Sequence, residues 1–275
     1  MKTILLPTDF SDNSLNAMHY AFQLFKNVEC NFHILNIQKA SSYITDDLMA
    51  GSSTSVYTTL VSNAKEAIAE LITSLEKLYK NDKHSFNAAI DYDNFIDGIN
   101  QMCETKKVDL IVMGTHGATG LERFLFGSNT VRVLQRCDTP VLVIPQDCSY
   151  EPLLKMAFIS DYLDFDENHI QELKDMANLF ASKVEVLHVI KEEDLSLVQL
   201  KNKHVIDKSL GNIDHTFITI EGETIYGAVS EYMEKHHVKL LAMMRRKHNF
   251  FERLFTKHNI EEFGFNIKRP LLVLC

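Results

Sequence analysis

Two hydrophobic periods alternate along the chain. Leu110-Ile111-Val112-Met113 and Val141-Leu142-Val143-Ile144 are continuous apolar runs, short and branched enough to read as buried parallel strands. Thr3 to Leu6, Phe32 to Ile37 and Ser85 to Tyr92 add three further strand candidates. Between them the spacing turns helical. Leu15, Met18, Phe22 and Phe25 share one face, with Ser11 or Asn13 available as cap. Val61, Ala64, Ile68, Leu71, Leu75 and Leu78 mark a long amphipathic helix, and Phe95, Ile99, Met102 and Cys103 a shorter one. Lys39 to Ser55 is rich in Ser, Thr and Asp without a clear period and reads as a loop. Strand and helix alternate, which predicts a parallel sheet covered on both faces.

A second copy follows a linker from Gln146 to Glu151. Val238 to Met244 aligns with Val108 to Gly114, and Lys268 to Leu274 with Asp138 to Ile144, at one offset of 130. Near the start of that copy, Phe158-Ile159-Ser160-Asp161 echoes Leu6-Pro7-Thr8-Asp9, and Leu187-His188-Val189 echoes Leu35-Asn36-Ile37. The expected domains are therefore 1–147 and 151–275. The length of 275 residues suits two domains of ordinary size.

Chemistry concentrates after the fourth strand. Gly114, Gly117, Gly120 and Gly127 punctuate a loop that ends at Ser128, read as the N-cap of a helix through Asn129-Thr130-Val131. Glycines let the main chain approach a ligand and adopt positive φ, and a helix start offers unpaired N–H groups and a positive dipole end. Together they suit a phosphate. The alternative is a glycine-rich connection without a ligand. The loop holds neither GxGxxG nor a Gly-Lys-Ser/Thr P-loop.

Gly114-x2-Gly117-x9-Gly127-Ser128 matches the nucleotide-binding signature of the universal stress protein family, and the chain resembles its tandem members. The resemblance implies two Rossmann-like α/β domains, each a five-stranded parallel sheet of order 3-2-1-4-5. It implies an ATP site, with Mg2+ arriving on the triphosphate, formed by Pro7, Thr8, Asp9, Ile37, Met113, Gly114, His116, Gly117, Gly127, Ser128, Asn129 and Thr130. Asp9 would contact the nucleotide, Ile37 would pack on adenine and Met113 would lie near the base. Read from the residues alone, Asp9 is equally a cap for the first helix, and His116 a solvated loop histidine with no catalytic role. Single-domain relatives pair through their last strands, so the resemblance also implies an intramolecular pseudo-dimer, with further homodimer formation left open. In the second copy Met244, Lys247, Lys257 and His258 replace the four signature residues. That domain is expected to be degenerate, its basic loop, Arg245 to His258, being a solvated surface or a hold for another anion.

Composition narrows the function. A net charge of −9 argues against a general nucleic-acid binder. No apolar run reaches the length of a membrane span, and the N-terminus enters a strand without a leader pattern. Five scattered cysteines without CxxC suit a reducing compartment, so a cytoplasmic location is expected. No His/Cys/Asp cluster has metal spacing, and no GxSxG nucleophile motif occurs. The leading expectation is an ATP-binding stress or signalling protein with at most slow hydrolysis. The alternatives are a non-nucleotide interaction module and an α/β enzyme for adenylyl transfer or hydrolysis.

Overall fold

The unbroken apolar runs become strands buried on both faces, because helices cover each side of a parallel sheet. In this computed structural model the structure describes residues 1–38, 53–92, 94–115, 127–163, 167–190, 195–245 and 269–275. The chain divides into two units, Met1–Ser149 and Tyr150–Cys275.

In the first unit the strands are β1 (Lys2–Thr8), β2 (Cys30–Ile37), β3 (His84–Asp91), β4 (Leu110–Gly114) and β5 (Val141–Ile144). They are all parallel and lie in the order β3-β2-β1-β4-β5. The connecting helices are α1 (Asp12–Leu24), α2 (Ser53–Leu78), α3 (Phe95–Lys106) and α4 (Ser128–Arg136). Right-handed crossovers place α1 and α2 on one face and α3 and α4 on the other. Ile4, Leu5 and Leu6 of β1 are fully buried, as is every residue of β5. Phe22 of α1 seals its face of the sheet edge-on against Phe32 of β2, with ring centroids 4.9 Å apart, and against Phe86 of β3 at 5.2 Å.

Two details differ from the sequence reading, and a third decides between alternatives that it left open. Helix α2 begins at Ser53, so Ser53 to Ser55 belong to a helix and not to the loop; positions 39–52 lie outside the described residues. Ser and Thr suit a first helical turn as well as a loop, which hides the boundary in the sequence. The apolar stripe of α2 closes at Leu75, since Leu78 is 66% exposed. Of the two cap candidates for α1, Ser11 does the work: its Oγ accepts from the Ser14 N–H, while Asn13 is buried inside the first turn.

The second unit repeats the plan. Its strands are β6 (Lys155–Ile159), β7 (Lys183–Ile190), β8 (His215–Glu221), β9 (Leu240–Met244) and β10 (Leu271–Leu274). These are also parallel, in the order β8-β7-β6-β9-β10. Helices α5 (Glu167–Phe180), α6 (Leu197–Leu210) and α7 (Ile225–Lys235) complete it among the described residues. Here Tyr162 fills the position of Phe10 and stacks on His188, 4.7 Å between ring centroids. Among the described residues no helix is long and apolar enough to cross a membrane.

Candidate functional site

Strands β1 and β4 are neighbours, so the turn after Thr8 and the turn after Gly114 leave the sheet at the same end. In open parallel sheets that crevice, where strand order reverses, is where ligands bind.

The first turn is held by its own side chains. Thr8 Oγ1 accepts from the Phe10 N–H at 2.9 Å, and Phe10 takes φ 63°. Asp9 is exposed, and its carboxylate accepts from the Ser11 N–H at 3.1 Å and the Ser11 hydroxyl at 2.6 Å. That orients Ser11 as the α1 cap. Asn36 near the end of β2 donates its amide to the Thr8 carbonyl at 2.8 Å. The second unit rebuilds three of these four bonds; the Ser11 hydroxyl has no counterpart in Leu163. Tyr162 N–H donates to Ser160 Oγ, Leu163 N–H to Asp161, and His188 Nδ1 meets the Ser160 carbonyl at 2.9 Å. Tyr162 repeats the positive φ at 57°. Asp9 and Asp161 therefore share a structural role.

Gly114 closes β4 under the side chain of Asn13. A Cβ at this position would lie 2.7 Å from the Asn13 side chain, so any other residue here would displace Asn13 from its present place. Neither of the two described glycines of this set, Gly114 and Gly127, adopts positive φ; Gly127 sits at φ −60°, and Gly120, like Gly117, lies outside the described residues. Thr115 is buried, and its carbonyl accepts from the Gly127 N–H at 2.7 Å.

Helix α4 starts differently from the expectation. Gly127, with extended ψ 155°, is the N-cap, and Ser128 is already the first helical residue. Among the described residues no side chain caps this start, and its first turn carries no acidic group. Ser128 and Asn129 are exposed beside Gly127. The result is a nine-residue helix whose positive end lacks a resident acceptor from a cap side chain. Thr130 is buried, and its hydroxyl donates to the carbonyls of Gly114 and Thr115 at 3.0 and 3.2 Å.

Around this start, Met113 is buried in β4 and Pro7 in β1. Ile37 is half-buried at the end of β2 and comes within 3.1 Å of a Cβ placed on Gly98, which assigns it to the face carrying α3 and α4. His116 and Gly117 lie outside the described residues. Thr115 escaped the sequence reading, and Asn13 entered it only as a cap candidate; a polar residue directly after a signature glycine was the available signal for Thr115. Among the described residues no His, Cys, Asp and Glu cluster fits a metal ion.

The universal stress protein family model matches residues 1–145. The chain belongs to the universal stress protein family. A universal stress protein of Methanocaldococcus jannaschii is 33% identical over 143 residues, covering 52% of this chain and 81% of that relative. A second one from the same organism is 30% identical over 156 residues, covering 52% and 94% respectively. Among solved structures, a universal stress protein from Archaeoglobus fulgidus matches 98% of this chain and 95% of its own, with TM-score 0.70 at 18% identity. That likeness spans both units and bears on their fold.

Proposed function

We propose that this member of the family binds ATP in its first unit and uses the bound state in stress response or signalling. The observation that carries the reading is the start of α4. Three signature residues, Gly114, Gly127 and Ser128, meet there at the strand-order reversal, and no side chain occupies the cap position. An anion is the natural partner for such a helix end. Phosphates would pass over the bare main chain of Gly127, whose N–H is held by the Thr115 carbonyl, and meet the N–H groups of Ser128 and Asn129. Adenine would lie toward Ile37 and Met113, with Asp9 accepting from a ribose hydroxyl. Mg2+ would come with the triphosphate and be held largely by its oxygens and by water. A surface rich in acidic side chains suits a protein partner better than nucleic acid.

Denaturing the purified protein and identifying released nucleotide tests this, with calorimetric titration of ATP into nucleotide-free protein. Saturable ATP binding is expected. Folded protein that neither retains nor takes up an adenine nucleotide would support the interaction-module reading instead, and rapid turnover of ATP would favour an enzyme.

A further inference from the structure

We infer that Thr130 is a positioning residue: it latches the mouth of the glycine segment so that the start of α4 keeps the shape a phosphate needs. This rests on the ATP reading above. A threonine in the first turn of an anion-binding helix would ordinarily be taken for a ligand. Here the hydroxyl is already committed. Its single hydrogen is shared between the carbonyls of Gly114 and Thr115, and the side chain is only 3% exposed. It has no donor left to offer a phosphate.

The bonds converge on Thr115. Its carbonyl receives the Gly127 N–H and the Thr130 hydroxyl, which uses both lone pairs. Its own Oγ1 meets the Asn13 amide at 3.5 Å, and the same Asn13 side chain packs against Gly114. Thr115 and Gly127, the last and first described residues on either side of the glycine segment, are thus tied together and to α1. Holding Gly127 in place fixes the direction of the first N–H groups of α4, and preorganised donors bind an anion without an ordering cost at the moment of binding. The second copy has Arg245 and Ile260 at the positions matching Thr115 and Thr130. Its Arg245 N–H donates to the Leu274 carbonyl. The hydroxyl donor is missing from the copy that has also lost the signature glycines.

Thr130→Val keeps the shape and removes the donor, and Thr130→Ser restores it; Thr130→Ala serves if the valine variant folds poorly. Two readouts are taken on the full chain: ATP affinity by titration, and amide hydrogen exchange at Gly127 without nucleotide. Loss of one neutral buried hydrogen bond predicts about a fivefold to tenfold weaker ATP affinity, together with faster exchange at Gly127, both reversed in Thr130→Ser. Weaker binding with unchanged exchange would make Thr130 a direct ligand and overturn the latch. Faster exchange with unchanged affinity would reduce it to a fold contact, which equally overturns it. If the wild-type chain takes up no ATP, the nucleotide reading is lost, and unchanged exchange in the valine variant would sink the latch on its own.

Discussion

Gly127 shows how a single position can be altered without touching the fold. Its φ of −60° and ψ of 155° are open to any residue. Lysine stands at the matching position of the second copy, Lys257. Gly127→Lys should therefore melt close to the wild-type temperature yet lose measurable ATP binding, because a side chain would stand where the proposed site needs bare backbone. Retained affinity in a titration would move the phosphate site elsewhere. Asp9 can be separated into its two roles by its twin. Asp9 and Asp161 both hold the residue two places on, so alanine at either should cost about 0.5–1 kcal/mol of stability. Only Asp9→Ala should also weaken ATP binding, on the order of 1–3 kcal/mol for a lost charge-assisted hydrogen bond. Thermal melts and titrations on both variants check this; equal affinity in Asp9→Ala and wild type would leave Asp9 a turn residue alone.

At the scale of elements, α1 is joined to the turn that follows α2 by His19 Nδ1 and the Tyr79 hydroxyl, 2.7 Å apart. Burial lowers the pKa of His19 below its ordinary 6.5. His33 in β2 is lowered too, first by burial and then by the charge of Lys106. A histidine depressed in the folded state binds fewer protons folded than unfolded, so stability rises with pH across that window. The contribution is present above the unfolded value near 6.5 and is lost as pH falls through the folded one. Denaturant melts should thus show the chain less stable at about pH 5.5 than at about pH 7.5. His19→Gln should flatten part of that slope, and a slope identical to wild type would show that His19 does not carry it. Helix α4 contrasts with α1: the Ser11 side chain caps the start of α1, whereas the N-cap of α4 is Gly127, which has no side chain to do so.

For the whole molecule, the two units share a strand order but differ at the site. Met244, buried at the end of β9, stands where Gly114 lets Asn13 approach. The calorimetric titration should accordingly give one ATP per chain. Two equivalent sites would mean that the second unit recognises phosphate through its basic side chains.

Much of this was determined by the sequence alone. Period and run length set the strands and helices, because alternating burial must be written into the order of residues. The repeat announced two copies, and the spaced glycines marked which copy could meet a phosphate. Tertiary structure decided the rest. That Ser128 begins a helix instead of capping it is a matter of backbone angles, and that Gly114 packs under Asn13 and Thr130 spends its hydroxyl on carbonyls are contacts between segments. Asn13 and Thr115 lie 102 positions apart. A local pattern carries no information on such an approach; only the parallel pairing of β1 with β4 brings the two turns together.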